Sequence, residues 1–111
     1  MADNEKRLLS YLGLAKRAGK VVSGEFQTEE AIRKGKAELV LVAGDASDNT
    51  KKKFRNMCDW HHARMVVCSD RAALGLSIGC SDRACLALTD TGFAAVIEKT
   101  LGTGADRERR Y

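Results

Sequence analysis

The chain has 111 residues, 44% of them hydrophobic and 31% charged, with four cysteines and no proline. That suffices for one domain with a real core, is too short for a two-domain enzyme closing on an interdomain cleft, and offers no apolar run of the roughly 20 residues that span a bilayer. Nineteen Lys and Arg against 15 Asp and Glu leave a net charge of +4, a modest excess that favours a polyanionic partner such as nucleic acid without deciding the matter.

The N-terminal stretch MADNEKRLLSYLGL has acids before its bases and no long apolar core with a cleavage site. It does not read as a secretory signal, and a cytoplasmic protein is expected. In that reducing compartment Cys58, Cys68, Cys80 and Cys85 are expected as small buried hydrophobes rather than disulfides. Leu8, Tyr11, Leu12 and Ala15 recur at helical spacing, which predicts a first helix over 5–18, with Lys16 and Arg17 suited to its negative end and Gly19 to its stop. A short strand, 20–23, follows.

Beyond Gly24 the spacing predicts a second helix over 25–34. Its thin inner stripe is Gln27, Thr28, Ala31, Ile32 and Gly35, and its other face carries Phe26, Glu29, Glu30 and Arg33. ELVLVAG, 38–44, reads as a strand covered on both faces. Asp45 or Ser47 can cap a third helix that turns Phe54, Met57 and Cys58 inward and runs to about residue 60. RMVVC, 64–68, is a third strand, followed by a short helix capped by Ser69 or Asp70 and ending near Gly75 or Gly79. ACLAL, 84–88, is a fourth strand. Asp90 caps the last helix, lined by Phe93, Val96, Ile97 and Leu101. Strict alternation of strand and helix predicts one α/β domain over 1–102, a three-layer α/β/α sandwich on a four-stranded mixed or largely parallel sheet. The remainder, 103–111, is polar and basic enough to be a disordered tail.

Ligands of open α/β sheets gather at the carboxyl ends of strands, beside helix N-termini. On this pattern Gly24, Asp45, Asp70 and Asp90 share one edge, yet the aspartates stand where helices need caps, so a magnesium site is not expected. Cys58, His61, His62 and Cys68 lack the paired spacing of a zinc site. No Walker loop, GxGxxG or serine-nucleophile motif is present, and neither histidine has an evident activated partner. Neither catalysis nor a metal, cofactor or small-molecule substrate is expected. The basic run TKKKFR, 50–55, should lie on the same edge as Gly24, because both follow strands at their carboxyl ends.

Four segments, LGLAKRAGKVVSGE (12–25), AIRKGKAELVLVAGDASDNTKKK (31–53), ALGLSIG (73–79) and ALTDTGF (87–93), are specific when taken jointly. Over 8–101 the chain resembles the bacterial YlxQ-like branch of the ribosomal-protein superfamily typified by L7Ae, whose members bind kink-turn RNA. The resemblance implies a noncatalytic α/β/α sandwich that holds RNA between the start of its second helix and the loop before its last strand. In RNA-binding relatives that helix start reads glycine, a small residue, asparagine or lysine, glutamate or glutamine, two variable positions, then lysine. Here Gly24 and Gln27 match, Phe26 replaces a polar contact, and Glu30 stands in place of the lysine. Cys80, Ser81, Asp82 and Arg83 occupy the loop that in relatives rests on splayed bases.

The residues themselves fit such a role. Gly24 lets a backbone approach closely, the free amides after it favour an anion or a base-edge acceptor, and Gln27 can both donate and accept. Phe26 either stacks on an unpaired base or folds back as a hydrophobic staple. Lys20, Arg33, Lys34, Lys36 and Lys51 to Lys53 are candidate phosphate contacts, opposed by Glu25, Glu29 and Glu30. RNA, in a ribosomal or other ribonucleoprotein setting, is the expected partner; a protein-interaction module of the same fold is the alternative, motivated by Phe26 beside acids.

Overall fold

The computed structural model describes residues 2–102. It contains α1 (Ala2–Arg17), β1 (Val21–Ser23), α2 (Glu25–Arg33), β2 (Leu39–Ala43), α3 (Asp48–His61), β3 (Met65–Cys68), α4 (Arg71–Ser77), β4 (Cys85–Leu88) and α5 (Thr91–Leu101). The tail expected at 103–111 lies outside the described residues. All five residues of β2 are buried, so the strand needs cover on both faces. Helices α2 and α3 pack together on one side of the sheet, and α1 packs against α4 and α5 on the other. The result is a three-layer α/β/α sandwich.

The strand order is β1-β4-β2-β3, with β4 antiparallel to both β1 and β2 and with β2 parallel to β3. The sheet is therefore mixed, and only β4 runs against the other three. This direction decides what shares an edge. The carboxyl ends of β1, β2 and β3 meet the amino end of β4 on one rim, called the near rim below. Asp90, which follows β4, stands on the far rim, correcting the expectation that it shares an edge with Gly24, Asp45 and Asp70. A strand's local pattern carries no information about its direction, so the sequence could not supply this.

Leu8 and Leu12 of α1, Ile32 of α2, Phe54 of α3, Leu74 of α4 and Ile97 of α5 all close on the sheet with at most 1% exposure. Each large side chain so buried contributes about 1.5–3 kcal/mol. Helix α2 packs through Thr28, Ala31 and Ile32 alone; Gln27 and Gly35, expected on that stripe, are exposed. In α5 the stripe is Phe93, Ala94, Ile97 and Leu101, and Val96, expected inside, is 40% exposed because it falls one position off that line.

Three helix starts are closed by side chains. Ser47 caps α3 by accepting from Thr50 N–H at 3.1 Å, Asp70 caps α4 by accepting from Ala73 N–H at 2.8 Å, and Asp90 caps α5 by accepting from Phe93 N–H at 2.9 Å. Asp45 instead reaches across the near rim and accepts from Arg71 N–H at 2.9 Å. Helix α4 runs on to Ser77, so Gly75 lies inside it rather than at its end.

Candidate nucleic-acid interface

Helix α2 begins without a side-chain cap. Gly24 has φ 86° and ψ 162°, a conformation that L residues rarely adopt, and the space where its Cβ would stand is open. Its N–H donates to the Cys85 carbonyl at 3.0 Å, anchoring the helix start to β4, and its carbonyl accepts the first intrahelical bond from Thr28 N–H at 3.0 Å. The amides of Glu25, Phe26 and Gln27 therefore precede the ladder and point outward at the positive end of the helix dipole. Phe26 is 73% exposed, so it is not folded back as a staple. Thr28, on the inner side, is fully buried. Its Oγ1 meets no partner at hydrogen-bond geometry.

The loop between α4 and β4 stands beside this opening because β4 starts on the same rim. Arg83 holds it there: its Nε donates to Ser23 Oγ at 3.1 Å, and its Nη1 donates to the Asp82 carbonyl at 2.9 Å. The loop backbone is fastened to α4 by Cys80 N–H donating to the Gly75 carbonyl at 2.8 Å and to the helix start by Arg83 N–H donating to the Arg71 carbonyl at 3.1 Å. A Cβ on Gly75 would come within 1.8 Å of the Ser81 carbonyl oxygen, so the loop can lie where it does only because residue 75 is glycine. Ser81 and Asp82 are left exposed beside the α2 start. The rim is further tied to α1 through Ser69, whose Oγ donates to Glu5 Oε2 at 2.7 Å.

The acids of α2 do not stand as bare negative charge. Lys53 of α3 reaches across to Glu25 at 3.0 Å and Glu29 at 2.6 Å, Arg33 lies 3.6 Å from Glu29 and 3.5 Å from Glu30, and Lys34 lies 3.3 Å from Glu30. The hydrogen bond from Lys53 holds the Glu29 carboxyl below the usual carboxylate range, and the bonds to Glu29 and Glu25 hold the Lys53 ammonium above its own. The same pairs occupy Arg33, Lys34 and Lys53, three of the cations expected to meet phosphate.

Gly24, Glu25, Phe26, Gln27, Ser81, Asp82 and Arg83 are thus brought together, with Lys51 and Lys52 nearby in the first turns of α3. Arg83 acts mainly as the clasp of the loop. Lys20 is separated from the group because it precedes β1, whose three residues carry the chain about 10 Å to Gly24. Arg33 and Lys34 stand at the far end of α2, and Glu30 lies about two turns into it. Sequence reasoning missed the bridge from Lys53 and the role of Gly75. A lone glycine inside a helical pattern is a signal of close backbone approach, and it was the available clue.

Among the described residues, no group of three or more His, Cys, Asp or Glu side chains could hold a metal. The four cysteines are free, and burial pushes the thiols of Cys58 and Cys68 up to about 12 and that of Cys85 to about 11. Such thiols stay protonated near neutrality and are poor nucleophiles. Among the described residues, no helix is long and apolar enough to cross a membrane.

The sequence model of the ribosomal protein L7Ae/L30e/S12e/Gadd45 family matches residues 6–98. The chain belongs to this family. Within it, the chain is 48% identical over 83 residues to the RNA-binding protein YlxQ of Bacillus subtilis (strain 168), a match covering 75% of this chain and 83% of that protein. It is 37% identical over 91 residues to the RNA-binding protein YlxQ of Enterococcus faecium, covering 82% and 87%. A solved structure of a protein of unknown function from Bacillus halodurans C superposes with a TM-score of 0.81 at 34% identity, covering 85% of this chain and 95% of that one. The family match takes in β1, α2 and the loop before β4, so it contains both walls of the opening described above.

Proposed function

We propose that this chain is a noncatalytic, cytoplasmic RNA-binding protein that reads a sharply bent, kink-turn-like RNA and works within ribosomal or other ribonucleoprotein particles. The observation that carries the reading is the open start of α2, left uncapped at Gly24 and flanked by the 80–83 loop, in a chain similar to two RNA-binding YlxQ proteins. A bent RNA exposes base edges at a narrow point and brings phosphates together there. The amides of Glu25 to Gln27 and the Gln27 side chain can meet base-edge acceptors, while Phe26 offers a stacking face for an unpaired base, worth about 1–3 kcal/mol in single-strand readers. Lys51 and Lys52 stand on the same rim for phosphate.

Titration calorimetry with a kink-turn RNA and a straight duplex of equal length tests this. Preference for the bent RNA, weakening as salt is raised, is expected; equal and feeble binding to both rejects it. The exposure of Phe26 beside ion-paired acids favours one second reading, a protein-interaction surface at the same helix start. A partner that survives nuclease treatment of a pull-down and is lost in Phe26→Ala supports that reading; loss of all partners with nuclease removes it.

A further inference from the structure

The far rim, where β1 and β2 begin and β4 ends, carries a second group of cations. Lys16 and Arg17 close α1, and Lys20 follows in a turn whose N–H donates back to the Ala15 carbonyl at 2.9 Å. Lys36 follows α2 in a turn whose N–H donates back to the Ala31 carbonyl at 2.8 Å. All four are exposed, and among the described residues none has an acidic partner within ion-pair distance. Lys16 and Arg17 complement the negative end of the α1 dipole, but Lys20 and Lys36 lie beyond their helices and have no such duty.

Thr89 adjoins both turns. Thr89 N–H donates to the Lys20 carbonyl at 2.9 Å, and Thr89 lines with Lys36 an open cleft of about 200 Å³. Gln27, Glu30, Ala31 and Lys34 of α2 and Val22 of β1 line the same cleft, so it follows the flank of α2 beside the edge strand β1 from the near rim to the far one. Glu30, midway along, is matched by Arg33 and Lys34. Val22 and Ala31 help to make most of its wall apolar, but none of the large exposed hydrophobics, Leu14, Phe26, Trp60, Leu76 and Val96, is among its residues.

We propose that one helical stem of the RNA continues from the open start of α2 along this flank and is held by its phosphates at Lys16, Arg17, Lys20 and Lys36. This inference rests on the RNA reading above and extends it to a second contact surface. The nine residues of α2 rise about 13 Å, or roughly five base steps of an A-form RNA helix. A stem must therefore reach at least that far beyond the bend to touch the second group.

The test uses the full chain and its variant Lys16→Gln, Arg17→Gln, Lys20→Gln, Lys36→Gln with two synthetic kink-turn RNAs, one whose stem stops about three base pairs past the bend and one that continues for about ten. For the unaltered chain the long-stem RNA should bind about tenfold tighter, with a salt slope steeper by about 2 to 3. The variant should lose that advantage while binding the short-stem RNA unchanged, which also shows that it is folded. Equal affinity and slope of the unaltered chain for the two RNAs overturns the proposal while leaving the bent-RNA reading intact. So does a long-stem advantage that persists in the variant, or an equal loss on both RNAs. Failure of the unaltered chain to prefer either kinked RNA over a straight duplex overturns the parent reading, and the proposal with it. Competition by an acidic polypeptide at matched charge, with no dependence on stem length, would assign the cations to a protein instead and overturn it.

Discussion

Helices α2 and α3 start side by side on the near rim and are built in opposite ways. Ser47 closes α3 by accepting from Thr50 N–H, and the first turns carry Lys51 to Lys53; Gly24 leaves α2 open, and its turns carry Glu25, Glu29 and Glu30. A start closed by its own side chain is complete without a ligand. An open one has exchanged a side-chain cap, at a cost of only about a few tenths of a kcal/mol with glycine there, for three amides that a ligand can use. Lys53 links the two, lending α3's charge to the acids of α2 so that the open start is not ringed by unmatched negative charge.

The largest expected disturbance of this contrast comes from behind it. Gly75→Ala forces the 80–83 loop off α4 and away from the α2 start; we expect about 2–3 kcal/mol less stability in urea denaturation and a loss of RNA affinity, although residue 75 is buried. A variant that keeps both would show that the loop's position does not matter. Gly24→Ala is next, costing about 1–2 kcal/mol from its left-handed φ and placing a methyl in the opening, so binding should fall by more than stability does. Ser47→Ala should do the converse: about 1 kcal/mol less stability in the same denaturation experiment, with RNA affinity unchanged, because the closed start makes no use of a ligand.

Glu30→Lys removes a carboxylate that occupies Arg33 and Lys34 and adds a cation beside them. Binding to a kink-turn RNA should tighten several-fold and its salt slope should steepen by about 1 to 3; an unaltered isotherm would mean that this flank does not face RNA. The smallest effect belongs to the bridge. Glu29 titrates below its unfolded value, so the bridge contributes fully above that unfolded value and fades as pH drops through the depressed one; Lys53 titrates above its own, so the contribution is also lost at high alkalinity. The difference in urea midpoint between the protein and Lys53→Gln should be constant near neutrality and shrink below about pH 4.

Periodicity and capping were readable because each is written within a few residues. Leu8, Leu12 and Ala15 announce α1, Asp90 stands before α5, and LVLVA reads as a covered strand. Gly24 and Gln27 were legible as candidate site residues for the same local reason. What the sequence alone determined about this protein is the order of its elements, the three-layer plan and the glycine that opens α2.

Only the tertiary structure decided which ends meet. The reversed direction of β4 carries the 80–83 loop to Gly24 and Asp90 away from it, and it puts Arg83 on Ser23 across 60 residues of chain. Lys53 finds Glu25 across 28 residues, and the turns that carry Lys20 and Lys36 both adjoin Thr89 on the other rim. Such pairings depend on strand direction and on how helices settle against the sheet. Those are properties of the whole chain's packing, and no short stretch of residues encodes them.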